Sequence, residues 1–319
     1  MKRFILTVGP SLMNTVKLNE IHNEKYIYRI NGAHGSVRDI EEYILEIRRQ
    51  VPGADILMDL PGNKVRTKDI EIPITLEKGK EFEIPCNNFN YQEFYKHLEP
   101  GMTAWANDST FEFEVKKTDP EKITFLSKSE GALISNKGVH IRGIHDDIPF
   151  LFEKDRSLID LANQYHLSFV GLSFVRKPEN IIEVKNILDS NVEIISKVET
   201  LEAVENLNEI LQEVKYILVD RGDLSTDIGI EKIPRYQKFI IQKALYYGVN
   251  VFLATQVLKN MEEKPIPTIA EIDDLYQIYT SGVYGVQMSE ETAVGKYIKE
   301  CINILEKMCD EVEKETLVL

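Results

Sequence analysis

The chain has 319 residues, 43% hydrophobic and 28% charged, with 52 acidic against 38 basic side chains and a formal net charge of −14. Such a length suits one large folded core or two to three domains. The acidic excess argues against a general nucleic-acid or anionic-membrane surface, both of which need clustered positive charge, but leaves open a local basic pocket for a phosphorylated small molecule.

In chain order, eight short apolar runs recur, each ending in polar or glycine-containing residues. They are FILTVGP from Phe4, YIYRING from Tyr26, DILMDLPG from Asp55, FVGLSFV from Phe169, VEIISKVE from Val192, YILVDRGD from Tyr216, VNVFLATQ from Val249 and GVQMSEE from Gly285. Apolar residues on consecutive positions predict strands buried on both faces. Helical patterns separate most of them. After the second run, Val37, Ile40, Tyr43, Ile44 and Ile47 fall on one helix face, and after the fifth, Leu201, Val204, Leu207, Ile210 and Leu211 do the same, with Thr200 as N-cap. Further helices are expected near Lys154, Pro178, Pro234, Ala270 and Lys296, and a short one in NTVKLNEIHN. Eight strand–helix units predict an α/β fold, a (β/α)8 TIM barrel whose polar strand ends share one face.

The interval after the third strand breaks the pattern. IEIPITL, EFEIP, FEFEVKK and KITFLSK alternate apolar and polar residues and are punctuated by turn residues, which predicts a small all-β insertion. The expected division is a barrel over residues 1–62 and 145–319 with an inserted β lid over 63–144. No run approaches the ~18 apolar residues of a membrane helix, and the apolar start is too short for a signal peptide. The three cysteines, Cys86, Cys301 and Cys309, form no CxxC pair, which fits a reduced cytoplasmic protein.

On one rim the strand ends would gather Arg29, Asn31, His34, Asp59, Lys64, Arg66, Lys197, Glu199, Asp220, Asp223, Thr255, Gln256, Ser289 and Glu291. Glu199 and Asp223 are hard oxygen ligands suited to Mg2+ or Mn2+ and, without His or Cys beside them, unsuited to zinc. Arg29, Arg66 and Lys197 would hold an anion with several oxygens. A divalent metal with three cations suits phosphoryl transfer, which is mostly positioning and charge neutralisation. DRGDL puts Gly222 where backbone N–H groups would meet a carboxylate. Taken singly, each residue has a plainer reading: Lys197 or Arg29 in a structural ion pair, Glu199 capping a helix, Asp108 and Lys137 as surface charges.

At these residues the sequence resembles the pyruvate kinase family. TVGPS, YRINGAHGS, MDLPGNKVRT, SFVRK, IISKVET, VDRGDLSTDIG, FLATQVLKNMEEKPIPTIAEIDD and QMSEETAVGKY match family segments in order through nearly the whole chain. The resemblance implies an Mg2+-dependent phosphotransferase acting on phosphoenolpyruvate and a nucleoside diphosphate. In that role Lys197 neutralises the phosphoryl group in flight, Glu199 and Asp223 hold the metal, and Thr255 serves the carbon that takes a proton. Arg29 and Arg66 bind phosphates. Asn31, His34 and Lys137 face the nucleotide, with Asp108 reaching in from the lid. The Gly222 and Asp223 amides take the substrate carboxylate, and Ser289 and Glu291 complete the substrate pocket.

The sequence also departs from the family. Ala33 and Leu60 stand at two potassium-ligand positions while Asn31 and Asp59 remain, and Lys64 stands where potassium-independent members resemble it. A lysine ammonium substitutes for the ion's charge, so no potassium requirement is expected. Pro61 and Asn63 alter the lid hinge, and Glu290 replaces a glycine beside Ser289. Ile269 replaces an arginine of the family's barrel–barrel contact. The family's C-terminal regulatory domain has no counterpart, so sugar-phosphate control is not expected and a monomer or barrel-mediated homodimer is. Two other readings stay open on the residues alone: an Mg2+-dependent lyase or other enolate-forming enzyme on a 2-oxo acid, and a non-catalytic metabolite-binding relative.

Overall fold

A computed structural model describes residues 2–107, 110–141 and 148–318. It divides into two compact units, Met1–Pro61 with Glu153–Leu319, and Gly62–Phe152. The first unit is a closed parallel barrel. Its strands are β1 (Arg3–Thr7), β2 (Tyr26–Asn31), β3 (Asp55–Asp59), β4 (Phe169–Leu172), β5 (Glu193–Val198), β6 (Tyr216–Asp220), β7 (Asn250–Ala254) and β8 (Gly285–Met288). Each pairs with its sequence neighbours, and β8 pairs back onto β1 with Arg3 opposite Gly285 and Leu6 opposite Met288. All eight expected strands are therefore present.

The barrel interior is filled, not hollow. Ile5, Ile27, Leu57, Phe169, Ile195, Leu218, Phe252 and Ala254 form one buried cluster drawn from seven strands. Each large member stabilises the fold by about 1.5–3 kcal/mol relative to an exposed side chain, as an upper estimate. The outward faces of the strands are covered by helices. In the Val37–Gln50 helix, Ile40, Ile44 and Ile47 are buried, and Ser36 and Asp39 form a reciprocal cap at its start. That cap satisfies amides that the first helical turn leaves without partners. Thr200 caps the next expected helix by accepting from the Ala203 amide. The run that followed it is two helices, Leu201–Glu205 and Leu207–Glu213, parted at Asn206. Asn206 sends its side-chain amide to the Arg176 carbonyl, a tertiary bond at the break.

The second unit is all β. A five-stranded antiparallel sheet runs in the spatial order Val139–Ile141, Thr103–Ala106, Phe111–Thr118, Lys122–Ser127, Glu81–Pro85, and Ile74–Leu76 pairs with Gly131–Leu133. Its own core includes Ile84, Phe89, Phe94, Phe113, Ile123 and Phe125. This core also takes in Ile148 and Phe152, so the unit extends past the expected end at residue 144. The expected boundary itself, at 144/145, and Asp108 lie outside the described residues.

Candidate active site

In a parallel barrel every strand delivers its last residues to the same rim. Here the rim carries Arg29 and Asn31 on β2, Asp59 on β3, Ser173 after β4, Lys197 and Glu199 at the end of β5, Asp220 on β6 and Thr255 after β7. Lys197 and Glu199 are two residues apart on an extended chain, so they face the same way. Lys197 is 6% exposed and Glu199 1%.

The cation at Lys197 is met by the protein's own carboxylates. Its Nζ lies 2.7 Å from Glu199 Oε1 and 3.6 Å from Asp59 Oδ2, and it donates to Ser173 Oγ at 3.0 Å. Burial alone would lower its pKa, but Asp59, Glu199 and Asp220 together hold it above the ordinary lysine value. Glu199 accepts from the Phe174 amide at 2.7 Å. Burial pushes its carboxyl up to about 7, with Asp223 and Asp220 adding to the rise and Lys197 opposing it. Arg29 grips Asp59 through Nε at 2.7 Å and Nη2 at 2.6 Å and reaches Thr7 Oγ1 at 2.9 Å. Burial works against the Asp59 charge, yet Lys197 and Arg29 hold its carboxyl below the usual range. Room for this carboxylate comes from β4: a Cβ on Gly171 would stand 2.9 Å from Asp59 Oδ1.

Glu199, Asp220 and Asp223 each offer one oxygen, and the three lie within 4.8 Å of one another. Oxygens that ligate Mg2+ at about 2.1 Å stand within roughly 4.2 Å of each other, so a small movement of this set fits a hard divalent cation. Two cations, Arg29 and Lys197, face four acids, Asp59, Glu199, Asp220 and Asp223. The acid excess and the raised Glu199 are what such a cation would relieve.

The Gly222 and Asp223 amides open the Arg221–Ile228 helix. They donate to Asp220 Oδ1 at 3.1 and 3.4 Å, and the Thr255 hydroxyl donates to the same oxygen at 2.5 Å. Thr255 and Gln256 have φ of 75° and 56°, a left-handed backbone that costs a β-branched residue about 1–2 kcal/mol. Arg221 holds this turn: Nε and Nη2 donate to the Thr255 carbonyl at 3.1 and 2.7 Å, Nη2 also reaches the Gln256 carbonyl, and Nη1 pairs with Asp274 at 2.7 Å.

The other expected residues are placed as follows. Asn31 accepts from the Ala33 amide through its side chain, and His34 is exposed just beyond. Ser289 gives its amide to Glu291 at 2.8 Å, and burial raises the Glu291 carboxyl. Lys64, Arg66 and Lys137 belong to the β unit, where the Lys64 stem runs against Gly138 and Arg66 bridges to the same glycine. Sequence reasoning missed Ser173, Arg221 and Asp274. The signal for Ser173 was a polar residue directly past an apolar strand. Arg221 was overshadowed by the glycine beside it, and Asp274 lies 53 residues away.

The fold and site define a (β/α)8-barrel protein whose rim joins a buried lysine to a cluster of hard acids. The family model described as pyruvate kinase, barrel domain, matches residues 1–302. The pyruvate kinase of Thermotoga maritima is 32% identical over 332 residues, which cover 98% of this chain and 71% of that protein. That of Clostridium perfringens is 32% identical, covering 98% and 70%, and that of Methanocaldococcus jannaschii 31%, covering 96% and 68%. The chain belongs to the pyruvate kinase family and is a kinase.

Proposed function

We propose that the chain transfers a phosphoryl group between phosphoenolpyruvate and a nucleoside diphosphate, giving pyruvate and the triphosphate. The observation that carries this reading is the buried Lys197 set against Glu199 beside the three-acid cluster. In the forward direction the bond between phosphorus and the enol oxygen breaks, and one forms to the terminal oxygen of the diphosphate. Lys197 stabilises the negative charge spread over the oxygens in flight, as a preorganised cation in a site where little water competes. The enolate left behind takes a proton at its methylene carbon, the step assigned to Thr255. Glu199 and Asp223 are the residues that would hold Mg2+ or Mn2+. When bound, such an ion supplies Lewis-acid stabilisation of the carboxylate and phosphoryl oxygens.

The resemblance supports the remaining assignments. Arg29, Asn31, His34, Arg66, Lys137 and Asp108 serve the phosphates and nucleotide, Ser289 and Glu291 the substrate, and the β unit acts as a lid. Lys64, with Asn31 and Asp59, replaces potassium. Among the described residues no helix is long and apolar enough to cross a membrane. Action on small molecules in the cytoplasm, as a monomer or a barrel-mediated dimer, is part of the same proposal. A pyruvate-release assay with phosphoenolpyruvate and a panel of nucleoside diphosphates, with and without Mg2+, tests the reading. Release that needs both a diphosphate and the metal is expected, and no release with any diphosphate would refute it.

A further inference from the structure

We propose that Asp220 is a specificity-determining residue: its carboxylate fills, from within the chain, the anion seat made by the Gly222 and Asp223 amides and the Thr255 hydroxyl. A carboxylate-bearing substrate then binds only by displacing it. The inference rests on the phosphotransferase reading above and adds a residue that controls its acid-substrate preference.

Three donors converge on one oxygen, Asp220 Oδ1, at 3.1, 3.4 and 2.5 Å. Backbone amides at a helix start together with a hydroxyl make a seat for one anionic oxygen. A substrate carboxylate would seek the same three donors, and each can serve only one acceptor well. A Cβ built on Gly222 would lie 2.8 Å from Thr255 Cγ2 and 3.3 Å from Asp220 Oδ1, so the bare backbone at Gly222 is what lets its amide sit close to both groups.

Charge acts in the same direction. Asp220 stands with Glu199 and Asp223, one oxygen of each within 4.8 Å of the others, and a further anion would meet all three. Removing Asp220 therefore frees the donors and removes one like charge together. Displacement is open to the native side chain, because Asp220 is half-buried and at the end of β6. The donors themselves stay in place. Arg221 fixes the Thr255 carbonyl and is braced by Asp274, so the seat does not collapse when the carboxylate leaves.

The test uses the full chain and its Asp220→Ala and Asp220→Asn variants. Oxalate, as the carboxylate probe, is titrated by calorimetry with saturating Mg2+, and Mn2+ affinity is measured by electron paramagnetic resonance. Asp220→Ala is expected to bind oxalate at least about tenfold more tightly and to lower KM for phosphoenolpyruvate more than it changes kcat. Asparagine remains a good helix cap, so Asp220→Asn carries the test should the alanine variant fold poorly. It is expected to bind oxalate more tightly than the native chain through loss of the charge alone. Oxalate affinity unchanged or weakened with Mn2+ affinity retained overturns the proposal. So does a loss of Mn2+ affinity greater than about tenfold, which would make Asp220 a metal ligand. Pyruvate release by the native chain judges the functional reading separately. An inactive native chain with tightened oxalate binding in the variants removes that reading and keeps the seat. An active native chain with indifferent variants does the reverse.

Discussion

Lys197 Nζ and Glu199 Oε1 lie 2.7 Å apart, on side chains two residues apart that are both almost wholly buried. An ion pair this deep is held together because neither charge has water to return to. Asp59 and Ser173 complete the lysine's surroundings. Replacing Lys197 by Met leaves Glu199 buried without its cation. The variant should lose phosphoryl transfer by about 10³-fold or more and about 3 kcal/mol of stability in metal-free protein. Single-turnover kinetics and denaturant unfolding read the two effects apart, and retention of near-native turnover would exclude Lys197 from the chemistry.

Glu199 gives a pH dependence of defined sign. Its folded, metal-free pKa of about 7 stands above the ordinary value of 4.5. Below 4.5 both folded and unfolded chains hold the proton. Between 4.5 and 7 only the folded chain holds it, and above 7 neither does. The stabilising contribution is thus present at low pH and lost as pH rises through 7, with a slope on the order of 1 kcal/mol per pH unit. Metal-free unfolding curves from pH 5 to 8 should show this component in the native chain and lack it in Glu199→Gln. Affinity for Mn2+ should rise across the same range, since the metal needs the ionised carboxylate. Identical pH profiles for the two proteins would remove the assignment.

Arg221 bears on Thr255 through the backbone. It holds the carbonyl of a threonine whose φ is 75°. Arg221→Met should let that turn relax and lower kcat by about tenfold or more, while KM for the nucleotide changes little. Asp274→Asn, which keeps the arginine and removes only its brace, should show a smaller loss. Steady-state kinetics on both variants would reject the clamp if kcat stays within about twofold of the native value.

The three thiols should be silent in the native protein. Cys86, Cys301 and Cys309 are all buried, and burial raises each pKa, that of Cys301 to about 12. A thiolate is the reactive species, so a disulfide reagent at pH 8 should titrate essentially none before denaturation and all three after it. Rapid labelling of the folded chain would contradict the burial.

Potassium should be dispensable if Lys64 replaces the ion. Turnover measured with sodium, potassium or tetramethylammonium as sole monovalent cation is expected to agree within about twofold. Strong activation by potassium alone would exclude the replacement.

The barrel was readable in the sequence because strands buried on both faces leave continuous apolar runs, and all eight appear where those runs occur. Polar residues at their ends located Lys197, Glu199, Asp220 and Thr255 on the rim. What those residues bond to was not readable. Within the chain Lys197 meets Glu199 and Asp59. The Gly222 and Asp223 amides meet Asp220. Periodicity reports which face a residue occupies and carries no information about contacts across the barrel. The split at Asn206 escaped for a related reason: the apolar spacing continues through it, and only a tertiary hydrogen bond to Arg176 marks the break.

The pairing of β1 with β8, Arg3 opposite Gly285, joins segments at nearly opposite ends of the barrel sequence. During synthesis the first strand emerges long before its second neighbour exists, and until then it offers an unpaired edge to other nascent chains. Closing so long a loop is also slow. Amides of the β1–β8 ladder should therefore gain protection late in pulse-labelled refolding, and crowding at that stage should favour aggregation over closure.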